Sequence, residues 1–191
     1  MVINDKALVR EMKRAYKGGG YNVIIRPGGR TVINCFSWAV EIENENLSRE
    51  VLSVLALHMG CLPEEGETYK IMKGAKEPTV QKMIFDTAME PVRRLEQAVA
   101  DATEAVPVAV KKTMLTFDGW NVWQKTGNNG ILLVDPAYEM MLRKLEDVIA
   151  AGDAIYKEGA ISKAYIMRGK AEMYENQLNY LGQIPWAAKG G

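Results

Sequence analysis

Histidine occurs once in the 191 residues and cysteine twice, so the chain is short of the side chains that most often ligate transition metals or form nucleophile–base pairs. Cys35 and Cys61 make no disulfide framework, and a reducing cytoplasm is the compartment they fit. A structural zinc site needs about four ligands; His58, Cys61 and Cys35 are three, with no Cys-x-x-Cys pair. Long apolar runs are lacking as well. None approaches membrane-spanning length, and the opening MVINDKALVREMKR has no signal-peptide core. The expectation is a soluble cytoplasmic protein with no membrane segment, no metal and no other cofactor. Neither charge is in surplus: 24 Lys and Arg balance 24 Asp and Glu, which argues against a general polyanion binder and against an acidic nucleic-acid mimic.

The balance conceals a segregation. Residues 1–34 carry five more positive than negative charges, and residues 41–67 carry seven glutamates against Arg49 alone. Residues 4–17 read as a helix with Leu8, Met12, Ala15 and Tyr16 on one side and Lys6, Arg10, Lys13 and Lys17 opposite, Arg14 close by. Gly18 then serves as its left-handed closing residue. Three strands follow: 21–25, a Pro27-Gly28 type II turn, 31–35, and a half-buried strand over 36–43. A helix spans about 48–59 and a short strand ETYKIMKG comes next; 75–90 fits helix or strand.

The second half repeats the plan without repeating the sequence. Pro91 opens an amphipathic helix in its first turn. A meander follows over TMLTF, WNVWQ and ILLV, with Asp118-Gly119 as a hairpin turn. A helix from Asp135 to about Ala150 and a heptad seam through Ala160, Ala164, Met167, Ala171, Tyr174, Leu178 and Leu181 complete the chain. The fold class expected is α+β: two small antiparallel β-meanders, each followed by a helix, and a C-terminal antiparallel helical hairpin. The hairpin packs on itself, on the 91–105 helix or on a second subunit. The division expected is 1–90 and 91–191, unless the two parts form one continuous domain.

No catalytic signature stands out. The glycines at 18–20 follow a helix and precede a strand, the reverse of a phosphate loop, and no G-x-x-x-x-G-K-[ST] occurs. His58 falls in the apolar arc of Val51, Val54, Leu55 and Met59, which suits a hydrogen-bonded core histidine. The better candidate is the basic face of Lys6, Arg10, Lys13, Arg14 and Lys17, with Arg26 and Arg30 at a nearby hairpin tip. It can meet phosphates or an acidic protein, or serve only as a solvated face. Trp120 and Trp123 lie three apart on one strand and face opposite sides, so one enters the core and the other is a possible binding anchor.

The run WAVEIENENLSREVLSVLALHMGCLPEEGETYKIMKG resembles small accessory proteins of phages and integrative elements of Gram-positive gut bacteria, over about residues 16–74. Some of these are anti-defence proteins, including inhibitors of CRISPR effectors. The resemblance implies a non-enzymatic inhibitor that acts in the host cytoplasm by stoichiometric contact. Its partner would be a host protein such as a CRISPR-type defence nuclease or nucleoprotein complex, with nucleic acid reached through the basic helix. Two alternatives stand beside it: a small enzyme whose site is assembled from distant residues, and an assembly protein that dimerises through Ala164, Met167, Ala171, Tyr174 and Leu178.

Overall fold

The computed structural model describes residues 1–104, 108–169 and 174–185. The chain opens with α1 (Asp5–Lys17), capped by Asn4, whose side chain accepts from the Ala7 N–H at 3.4 Å. Arg14 and Lys17 in the last turn complement the helix dipole. Strands β1 (Tyr21–Arg26), β2 (Arg30–Cys35) and β3 (Trp38–Glu43) form a meander, and Ser48 then caps α2 (Arg49–Met59). Next come β4 (Thr68–Lys73), β5 (Pro78–Lys82) and α3 (Phe85–Glu104). The meander β6 (Val110–Phe117), β7 (Trp120–Lys125) and β8 (Ile131–Val134) follows, then α4 (Pro136–Glu139). Strands β9 (Ile149–Ala151), β10 (Ala154–Gly159) and β11 (Ser162–Met167) lead to α5 (Glu175–Leu181).

The first meander is not a small sheet. It is the middle of an eight-stranded antiparallel sheet ordered β5-β4-β1-β2-β3-β11-β10-β9, five strands from residues 1–90 and three from 91–191. The second meander is a separate three-stranded sheet, β6-β7-β8. The segment entering β6 stitches the two together: Val110 N–H donates to Val148 O at 3.1 Å, and Ala150 N–H to Val108 O at 2.9 Å.

Both faces of the large sheet are covered. On one, Val23, Ile33, Val40, Ala164 and Ile155 share a core with Leu8 and Met12 of α1, Val51 and Leu55 of α2, and Trp123 and Val134 of the small sheet. On the other, Ile24, Val32, Ala39, Tyr156 and Tyr165 meet Ala88, Met89 and Val92 of α3. A third cluster joins Val122 and Leu133, on the outer face of the small sheet, to Leu178 of α5.

Burial on both faces explains where the sequence expectations fail. The strand at 36–43 is not half-buried: residues 38–42 are all buried, Glu41 included. The helix over 136–150 stops after Glu139, and the chain turns into β9. Met141, Leu142 and Val148 are core residues as their spacing implied, but an irregular path delivers them there. Among the described residues there is no C-terminal helical hairpin. Ala164 and Met167 belong to β11, paired with β10 and β3. A strand buried on both faces is a near-continuous apolar run, so a heptad spacing can be traced through it by coincidence. Only α5, seven residues long, is helical among the described residues of 160–181, and Ala171 lies outside them.

Two smaller corrections concern helix ends. α3 starts at Phe85, which puts Pro91 inside it. An interior proline costs a helix about 3 kcal/mol; burying Ala88, Met89 and Val92 against the sheet offsets that loss. The left-handed glycine after α1 is Gly20 (φ +85°), while Gly18 has φ −95°.

Candidate docking surface

Lys6, Arg10, Lys13, Arg14 and Lys17 are all exposed along the outer side of α1. Glu11, only 2% exposed, ties down two of them: Arg10 at 3.0 Å and Arg14 at 3.4 Å. Arg10 also donates to the Ala137 carbonyl at 3.2 Å, and the Arg14 guanidinium lies 5.7 Å from the Tyr138 ring centre. Lys6, Lys13 and Lys17 make no ion pair among the described residues. The stripe is therefore three free ammonium groups flanked by two anchored guanidiniums.

Arg26 and Arg30 do not extend it. Arg26 Nη1 lies 2.5 Å from Glu41 Oε2 and 2.5 Å from Glu96 Oε1 on α3, while Arg30 Nη1 is 2.7 Å from Glu41 Oε1. Both guanidiniums neutralise a buried carboxylate on the α3 side of the sheet; burial alone would lower the Arg26 pKa, but Glu96 and Glu41 outweigh it, and Glu41 likewise raises that of Arg30. Both are already engaged by carboxylates, unlike the lysines of α1.

The tryptophans divide as their spacing requires, with one change of role. Trp123 is fully buried and donates from Nε1 to Glu139 Oε2 at 2.9 Å, so it is not an interface anchor. Asn121 donates to the same oxygen at 2.8 Å, and Lys112 reaches Oε1 at 2.6 Å. Trp120 is half-buried in the outer cluster, packed against Gly169. The most exposed aromatic among the described residues is instead Phe36, 100% exposed in the tight turn between β2 and β3. Sequence reasoning assigned it to a strand. The signal it missed is local: Ser37 follows Phe36 exactly where two buried strands must reverse.

His58 is a core residue, 5% exposed, with Nδ1 2.9 Å from the Tyr21 hydroxyl and its ring stacked on Tyr16 at 4.0 Å. Burial, then the nearby Lys13 charge, lower its pKa. Cys35 is half-buried and burial pushes its thiol up, away from the reactive thiolate, while Cys61 is exposed. No group of three His, Cys, Asp or Glu is placed to hold a metal among the described residues. No described helix is long and apolar enough to cross a membrane.

One large concavity opens on the α3 side of the sheet. It measures about 1480 Å³, runs from α3 across the strand ends to Glu11, Arg14 and Ala15 of α1, and reaches Phe36 at the β2–β3 turn. Its floor is a single rung of the sheet. Lys70 on β4 pairs with Asn22 on β1, Asn22 with Asn34 on β2, and Asn34 with Ala39 on β3. The rung continues to Tyr165 and Tyr156 beneath α3. No protein-family model matches this chain, and no curated protein sequence matches it.

Proposed function

We propose that this is a non-enzymatic binding protein that inhibits a nucleoprotein partner in the host cytoplasm by stoichiometric contact. A CRISPR-type defence nuclease is the first candidate. The observation that carries the reading is the outer side of α1, where Lys6, Lys13 and Lys17 stand exposed without ion pairs among the described residues. Three ammonium groups along one side of a capped helix, Lys13 two turns beyond Lys6 and Lys17 one turn further, suit the phosphates of a bound nucleic acid or an acidic protein surface, and they speed encounter with either. The resemblance of residues 16–74 to anti-defence proteins of mobile elements supports the choice of partner.

The test is DNA cleavage by guide-loaded CRISPR nucleases of Gram-positive gut hosts, with the protein titrated in. Loss of cleavage near one equivalent is the expected result, with the Lys6→Glu/Lys13→Glu/Lys17→Glu variant at least about tenfold weaker and its salt dependence reduced. Full cleavage by every effector at a large excess, with no binding to the loaded complexes, overturns the reading.

A further inference from the structure

The polar part of the groove floor is incompletely satisfied. Asn22 Nδ2 donates to Asn34 Oδ1 at 2.8 Å, which fixes the Asn34 amide and leaves its Nδ2 without a partner, though Asn34 is only 4% exposed. A buried N–H without an acceptor is costly. Charge repeats the pattern. The groove holds four cations and three carboxylates, of which Arg14 pairs with Glu11 at 3.4 Å, Arg94 with Glu90 at 2.9 Å and Arg168 with Asp153 at 3.0 Å. Lys70 is left over, two strands from Asn34 on the same rung, with no ion pair among the described residues. One unmatched cation and one unmatched amide donor share a floor, and an anionic oxygen satisfies both.

The rest of the lining says what carries that oxygen. Met83, Val92, Leu95, Ala98 and Met167 are apolar. On the α3 wall Pro91 has no N–H, so the Thr87 carbonyl beside it loses its usual in-helix donor. With an anionic oxygen on the floor, the acceptor on the wall, across apolar surface, is left for an N–H, and a peptide carrying a carboxylate offers both. An alkyl acid offers only the first. The volume, about 1480 Å³, exceeds the roughly 300–1000 Å³ of small-molecule pockets. Phe36 at the rim is the kind of fully exposed aromatic that a protein surface covers.

We infer that this groove binds an extended apolar polypeptide segment bearing one carboxylate, which it places over Lys70 and Asn34. The inference shares with the docking reading only that the ligand is a protein; it does not depend on the lysines of α1.

The test is fluorescence polarisation with two labelled octapeptide libraries, both built from Leu, Val, Ile, Ala and Phe. One has a central aspartate and the other an asparagine in its place, and dodecanoate serves as an unlabelled competitor. The aspartate library is expected to bind about tenfold more tightly. Lys70→Met should abolish that preference, and Asn34→Leu should weaken both libraries. Lys6→Glu/Lys13→Glu/Lys17→Glu should bind peptide like the wild type, so failure here and failure of the α1 reading are distinguishable. Equal binding of the two libraries, no binding at millimolar protein, or binding of dodecanoate without peptide would overturn the inference. So would an aspartate preference that survives Lys70→Met. Should Asn34→Leu fail to fold by circular dichroism, Lys70→Met, at a half-exposed position, decides alone.

Discussion

Arg26 Nη1 donates to Glu41 Oε2 at 2.5 Å, joining a residue of the basic N-terminal segment to one of the acidic segment that follows. The charge segregation of the sequence is thus partly cancelled inside the fold. Glu41 is 3% exposed and takes Arg26 on one oxygen and Arg30 on the other.

That arrangement predicts a non-additive pair. Arg26→Ala or Arg30→Ala leaves Glu41 one partner, and each should cost about 1–2 kcal/mol. Removing both strands a buried carboxylate, a change worth about 3–5 kcal/mol. A double-mutant cycle by urea unfolding should therefore show the pair costing more than the two single changes together. Simple additivity would mean that Glu41 escapes to solvent.

The histidine gives a pH dependence with a definite sign. His58 has its folded pKa lowered from 6.5, chiefly by burial and next by Lys13, so near that pH the unfolded chain binds more protons than the folded one. Its contribution to stability is complete above about pH 6.5 and is lost as the pH falls from there through the folded value. The physical reason is visible: the imidazole is buried, with Nδ1 2.9 Å from the Tyr21 hydroxyl, and a second ring proton places a charge in that interior, near Lys13. Between pH 7.5 and 5.5 the wild type should lose stability faster than His58→Phe, by at most about 1.4 kcal/mol per pH unit. Parallel curves for the two proteins would remove His58 from the account.

Much of the N-terminal half was legible in the sequence, because its signals are local. Asn4 and Ser48 cap helices, Pro27-Gly28 turns a hairpin, and α1 buries Leu8 and Met12 while exposing its lysines. The C-terminal half was not, because Ala164, Tyr165 and Ile166 are buried on alternate faces of a doubly covered sheet and carry no period of two. Gly152 (φ +55°) and Asp153, which turn β9 into β10, are the local mark that argued against a helix there. The groove was illegible for another reason. Asn22 and Asn34 face each other across a local hairpin, but Lys70 lies far along the chain, and only strand order, with β4 beside β1, makes it their neighbour.

The triple glycine yields a graded prediction. At Gly20 the backbone is left-handed (φ +85°), and an added Cβ would sit 2.5 Å from the Ile71 carbonyl oxygen. At Gly19 a Cβ meets nothing within 4 Å. Gly20→Ala should cost about 2 kcal/mol or more through backbone strain and that clash. Gly19→Ala should be neutral or stabilise by a few tenths, about 0.4–1 kcal/mol at most. Thermal unfolding of the two variants checks the order.

The buried Glu139 supplies the last prediction. Its carboxylate accepts from Trp123 Nε1, Asn121 Nδ2 and Lys112 Nζ, fastening the one-turn helix α4 to the inner face of the small sheet. Glu139→Leu fills the volume but leaves the indole and amide donors unpaired in the interior, where each such group costs about 1–3 kcal/mol. Glu139→Gln keeps one acceptor oxygen and should be milder, with its amide nitrogen facing at least one donor. The expected order of stability is wild type, then Gln, then Leu, with the Leu variant about 2–5 kcal/mol down. Trp123 fluorescence provides an independent readout, because loss of the Nε1–H bond should shift its emission to the blue while the far-ultraviolet dichroism is retained. A Leu variant as stable as the wild type would mean that water reaches Trp123 and Asn121, and that the small sheet is held by its apolar contacts alone.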